Sequence, residues 1–185
     1  MENANFTDQF LIAMPSLEDP NFFHSVAYVC EHSDEGAMGI IINHPTDLTL
    51  GAVLEHMDIT PRAPVEQVPV YNGGPVQSDR GFILHPTGPH WTSTMQVSEK
   101  VSVTTSRDIL EAMAAGDGPA RYLVALGYAG WGAGQLEQEI GDNAWLTCEA
   151  DTDILFHQPA DRRWQAAAGR LGVDLSLLSG QSGHA

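Results

Sequence analysis

Apolar residues recur along the chain in short runs of strand length: Phe10–Met14, Val26–Cys30, Gly39–Ile42, Val68–Tyr71, Phe82–Leu84, Tyr122–Leu126, Trp145–Thr147 and Ile154–Phe156. Several do not alternate. Ile40, Ile41 and Ile42, and the stretch Leu123–Leu126, predict strands covered on both faces, which requires helices packed against a sheet. Between these runs the period changes to that of a helix. Leu50, Val53, Leu54 and Met57 share one face behind a capping region at Thr46, Asp47 and Thr49. A second helix starts at Thr105 or Ser106, with Thr105 and Asp108 spaced as a capping box, carries Ile109, Leu110 and Met113 inward, and stops at Gly116. A third spans Ala160–Leu171, ends at Gly172 and buries Trp164, Ala168 and Leu171. A short one follows the glycines at Gln135.

No low-complexity segment interrupts this order. The Ser/Thr-rich stretch Thr92–Ser106 is the nearest to a boundary, yet Val97, Val101 and Val103 alternate through it as in an edge strand. The fold class that follows is α/β, mixed α and β. It is a compact single domain, 1–185, with a central mixed sheet, helices packed on it, and room for a two-lobed division. A chain of 185 residues can bury enough surface to fold without a disulfide or structural metal.

Charge changes the picture more than composition does. The formal net charge is −16, with Lys100 the single lysine, so neutralisation of nucleic-acid phosphates has few cations to draw on. Arg162, Arg163 and Arg170 form the one basic cluster, set beside Asp161 and Asp174, and direct DNA binding is not expected. No apolar run is long enough to cross a membrane and Met1–Asp8 lacks the pattern of a secretory signal, so a cytoplasmic protein is expected. Cys30 and Cys148 read as two buried, reduced thiols.

The most suggestive chemistry is the passage from the strand Leu123–Leu126 through Gly127, Gly130, Gly132 and Gly134 into a helix start at Gln135. A strand, a glycine-rich turn and a helix N-terminus can cradle a phosphate or carboxylate. The same glycines also suit a tight turn in which Trp131 packs, and neither a dinucleotide fingerprint nor a Walker loop is complete here. A second candidate follows Tyr71, where Asn72, Gly73, Gly74 and Pro75 are turn chemistry and Arg80 could hold an anion or pair with one of the many acids. The candidate ligand residues are therefore Gly130, Gly132, Gly134, Gln135, Arg80, Gly73 and Gly74. Cys30 and His32 would share a face if their strand runs on through Glu31, but no set of histidines and cysteines has ligand spacing, and neither a metal nor a cofactor is expected. No nucleophile motif occurs.

The residues also carry a likeness that spans nearly the whole chain. Phe10–Pro15, Cys30–Gly39, Ile42–Pro45, Gly73–Val76, Arg80–Phe82, Leu126–Trp131, Gly134–Glu137, Asn143–Leu146 and the pair Arg163, Trp164 together resemble the YqgE/AlgH family of bacteria. The resemblance implies a compact α/β fold, carries for one branch the label of a transcriptional regulator, and transfers no catalytic residue. This sequence departs from it at His44, where related chains usually place Lys or Arg before the proline; a histidine there is cationic only below a pKa near about 6.5. The leading expectation is a non-enzymatic regulatory or accessory protein acting through a protein partner or a small ligand. The alternative is an enzyme or binder of a small anionic metabolite at 127–135 with Arg80 nearby, and nucleic-acid binding comes third.

Overall fold

The computed structural model describes residues 5–15, 17, 22 and 24–172. Ten strands and five α-helices alternate along them: β1 Gln9–Ala13, β2 Val26–Ser33, β3 Gly36–Ile41, β4 Pro45–Thr49, α1 Leu50–His56, β5 Pro69–Asn72, β6 Val76–Pro86, β7 Thr94–Gln96, β8 Val101–Thr104, α2 Arg107–Ala115, β9 Leu123–Gly132, α3 Gln135–Gly141, β10 Trp145–Glu149, α4 Thr152–Phe156 and α5 Arg163–Gly169. A 3-10 turn at Ala160–Arg162 leads into α5. The strands form one curled sheet in the order β10-β1-β2-β3-β9-β6-β8-β7, with β5 lying parallel to β9 and β4 beside β5. Every other pairing is antiparallel, so the sheet is mixed.

The curl divides the interior into three cores. Phe10, Tyr28, Ile40, Phe82, Leu84, Val103 and Ala125 fill the concave face, where α4 and α5 add Ile154, Leu155, Ala167 and Ala168. On the convex side α3 covers Leu11, Val29, Ala129, Trp131 and Trp145, while α1 and α2 cover Val70, Ile83 and Val124. Helices thus pack on both faces, as the unbroken apolar strands require.

Two shifts of register decide which side chains face inward. Val29 is opposite Gly39, but Glu31 is opposite Met38, so β2 carries one extra residue around Cys30. Directly opposed residues share a face. Cys30 therefore stays in the concave core while His32, opposite Ala37, turns to the convex side; the shared face expected of Cys30 and His32 is lost to the bulge. On β9 the left-handed Gly127, φ 80°, does the same, so that Ala125 and Tyr128 both belong to the concave face although three positions apart.

The glycines that follow β5 serve a crossing of chains. β5 lies on one side of β9 and β6 on the other, and residues 73–75 carry the backbone across. A Cβ on Gly74 would overlap the Tyr128 carbonyl, and one on Gly127 the Gly74 oxygen. Only glycine allows that approach.

Several local expectations change. Ile154–Phe156 is helical, in α4, because Asp151 caps it through the Asp153 amide and its apolar residues plug the concave face. The Thr105/Asp108 capping box does not form: Ser106 is the N-cap residue of α2, and the Asp108 carboxylate accepts bonds from Ser106 Oγ and from the amide and hydroxyl of Thr92. These bonds, that from Ser106 foremost, hold the Asp108 carboxyl below the usual range. The alternating valines belong to a hairpin, β7 and β8, with Val97 in its turn region. In the third helix the inward face is Arg163, Ala167 and Ala168, whereas Leu171 is 42% exposed and Trp164 only partly buried. Trp164 Nε1 donates to the Ala13 carbonyl at 2.9 Å and its ring stacks on His24. The cap and core of α1, by contrast, are as read: Thr49 Oγ1 accepts from the Ala52 amide, and Leu50 and Leu54 are buried.

Candidate functional site

The concave face is closed at one end and open at the other. At the end where β2 begins and β3 finishes, Arg163 of α5 donates to the Ile42 carbonyl and lies over the Tyr71 ring, 5.1 Å from its centroid. At the opposite end, near the β2–β3 turn, no helix among the described residues covers the sheet and a groove of about 1090 Å³ remains. Mouths of curled sheets and barrels are favoured places for ligands.

Six of the strands supply residues to the groove. β2 and β3 give Glu31 and Met38, β9 gives Tyr128 and Gly130, β6 gives Val76, Arg80 and Phe82, and β8 and β7 give Val103 and Met95. The floor is apolar and contains two methionines, which adapt readily to varied shapes. The walls are polar. Arg80 stands where β6 bulges away from β9: Val76 is opposite Tyr128 and Gly81 opposite Leu126, so Gln77–Arg80 arch over a single residue of the partner strand. Gln77, at φ 46°, takes the positive-φ strain of that arch. Arg80 Nη1 donates to Gln77 Oε1 at 3.3 Å and the guanidinium lies 5.4 Å from the Phe82 ring centroid. No carboxylate pairs with it among the described residues. Its neighbour Asp79 faces a separate apolar cleft of about 560 Å³ under α1 and α2.

The glycine-rich passage after β9 is arranged differently. Gln135 folds back so that its Oε1 accepts the Gly132 amide at 2.9 Å, and its Nε2 donates to Glu139. The other Glu139 oxygen accepts the indole N–H groups of Trp131 and Trp145, at 3.1 and 2.9 Å. The Gly132 amide of the glycine turn is thus already bonded, and Glu137 places a negative charge in the first turn of α3. Of the residues singled out in the sequence, Arg80 and Gly130 line the groove together. Gly73 and Gly74 lie in the crossing beneath it, and Gly132, Gly134 and Gln135 sit beyond its lining.

His32, on the convex side of the same hairpin, accepts the Phe6 amide on Nδ1 at 3.0 Å. Its Nε2 lies 3.2 Å from Glu137 Oε1 without completing a hydrogen bond. Burial pushes the thiols of Cys30 and Cys148 up, so both stay protonated and neither offers a thiolate. No group of three or more metal-ligating side chains comes together among the described residues.

A family model described as AlgH-like matches residues 10–176. The chain belongs to the AlgH-like family. A UPF0301 protein of Thioalkalivibrio sulfidiphilus is 71% identical over 99% of this chain and 98% of its own length. The UPF0301 protein AlgH of Pseudomonas aeruginosa is 56% identical over 95% of this chain and 94% of its own. The solution structure of AlgH from Pseudomonas aeruginosa superposes with a TM-score of 0.82 at 53% identity, covering all of both chains. A crystal structure from Corynebacterium diphtheriae, at 21% identity, 97% of this chain, 94% of that one and a TM-score of 0.73, shares the fold. The groove of this AlgH-like chain therefore sits on a frame common to distant relatives. Its lining residues Glu31 and Gln77 are not visible in the linear pattern because two bulges reset which positions point inward. No helix among the described residues is long and apolar enough to cross a membrane.

Proposed function

We propose that the protein is a cytoplasmic accessory protein that binds a small ligand bearing an anionic group in the groove, with Arg80 as the anchor. The observation that carries this reading is a guanidinium on the wall of a large concave groove with no carboxylate partner among the described residues, in a chain whose formal charge is −16. An arginine so placed keeps its fork of donors for an incoming carboxylate or phosphate. The inertness of both thiols and the absence of a nucleophile motif favour binding over covalent catalysis. Against direct DNA contact weighs the fate of the basic cluster: Arg163 is 5% exposed and Arg170 bonds Asp151 at 2.6 Å, while Asp174 lies outside the described residues.

Isothermal titration with a panel of small carboxylates and inorganic phosphate tests the reading. Binding should be saturable and should weaken by about tenfold or more in Arg80→Gln, the equivalent of one charge-assisted hydrogen bond. Binding that Arg80→Gln leaves unchanged would place the ligand elsewhere.

A further inference from the structure

The groove carries opposite charges on opposing walls. Arg80, with Gln77 beside it, stands on β6, whereas Glu31 stands on β2 and Glu35 in the turn that joins β2 to β3. The bulge in β2 is what turns Glu31 inward, by placing it opposite Met38. No cation pairs with Glu31 or Glu35 among the described residues, just as no carboxylate pairs with Arg80. Between the two walls the floor is Met38, Tyr128, Phe82 and Met95. A purely anionic ligand meets Arg80 but is opposed by the two glutamates and by the net charge of the whole molecule. A ligand with one charge of each sign is neutral at long range and satisfies both walls.

The span fixes the ligand class further. From β2 to β6 the sheet order runs β2, β3, β9, β6, and these interstrand steps of about 4.8 Å each separate the walls by about 14 Å along the sheet. The curl and the reach of the arginine and glutamate side chains shorten this to the order of 10 Å. An extended peptide advances about 3.3 Å per residue, so its terminal charges match this span at about three residues, and those of a single amino acid fall short. Resting on the ligand-binding reading above, we infer that the groove takes a short apolar peptide of about three residues with free termini. Its carboxylate meets Arg80, its ammonium meets Glu31 and Glu35, and its side chains lie on the methionine and aromatic floor.

Isothermal titration of the full chain with alanyl-leucyl-alanine, its N-acetyl and C-amide forms, and hexanoate separates this inference from the reading beneath it. The free peptide should bind, and acetylation or amidation should each weaken it by about tenfold or more. Arg80→Gln should abolish the preference for a free carboxylate, and the double variant Glu31→Gln, Glu35→Gln the preference for a free amine, with both variants retaining the wild-type unfolding midpoint. If hexanoate or the acetylated peptide binds as well as the free peptide, and in an Arg80-dependent way, the peptide inference fails while anion binding stands. If none of these probes binds while inorganic phosphate binds in an Arg80-dependent way, the peptide inference fails alone; if the amide binds as well as the free peptide, or neither these probes nor inorganic phosphate binds, both readings fall.

Discussion

The two ends of the concave face each set an arginine against an aromatic ring, yet one end is packed core and the other is an open groove. At the closed end Ala167 and Ala168 of α5 lie against the sheet, Trp164 bonds the Ala13 carbonyl, and Arg163 bonds the Ile42 carbonyl. At the open end Arg80 has only a glutamine and a ring beneath it. The difference lies in what covers each arginine. A buried guanidinium that satisfies a backbone carbonyl is part of the framework, because its removal orphans that carbonyl. A half-solvated one on a groove wall contributes little to stability and is available to something else.

The sharpest way to break the frame that holds both ends is at the crossing between them. Gly74→Val should cost more than about 4 kcal/mol or prevent folding, since its side chain meets the backbone of β9, and Gly130→Ala in the open groove should cost less than about 1 kcal/mol. Urea denaturation of the two variants checks this; equal costs would remove the distinction between crossing and groove. At the closed end, Trp164→Ala should lose about 2 to 4 kcal/mol through the missing ring and the unpaired Ala13 carbonyl.

The groove wall offers a third test through pH. His85 is fully buried behind it, donating through Nδ1 to the Pro86 carbonyl and accepting the Thr104 hydroxyl on Nε2 at 2.7 Å. Burial holds its pKa below the usual histidine value. The unfolded chain therefore takes up a proton near about pH 6.5 that the folded chain refuses, so stability is lost as pH falls from about 6.5 toward the folded pKa. The urea midpoint should decline across that window, and more shallowly in His85→Gln. His24, whose pKa burial also lowers, acts in the same sense. The smallest effect is expected at the open end itself, where Arg80→Gln should change stability by no more than about 0.5 kcal/mol while changing ligand affinity.

Most strands and the covering helices were legible because apolar runs and helical spacing survive in the linear order. The concave site was not. Its first half-strand, Val76–Arg80, is mostly polar and exposed, so the apolar pattern marks β6 from Phe82 onward while Asp79–Gly81 read as no more than the opening of the strand. The facing of Glu31 depends on one extra residue near Cys30, which no period can reveal. Ile154–Phe156 misled because a short apolar run reads alike in a strand and in one turn of helix. Arg80 and Gly130 were singled out for reasons of chemistry, and they are the two that the fold brings to one groove. Charge normally stays at the surface, and Arg163 turns inward because the Ile42 carbonyl and the Tyr71 ring, both distant in sequence, give it partners there.

The carboxylate of Glu139 ties two indoles together, Trp131 and Trp145, with ring centroids 5.9 Å apart and planes at 77°. Chromophores that close and that rigidly held share their excited states, so the pair should give the folded protein an intense near-ultraviolet dichroic signal that vanishes when either ring is replaced by phenylalanine. Because both rings pack under α3 on the convex side, that optical couple is a built-in reporter of this core, and loosening of α3 from the sheet should register in it without a label.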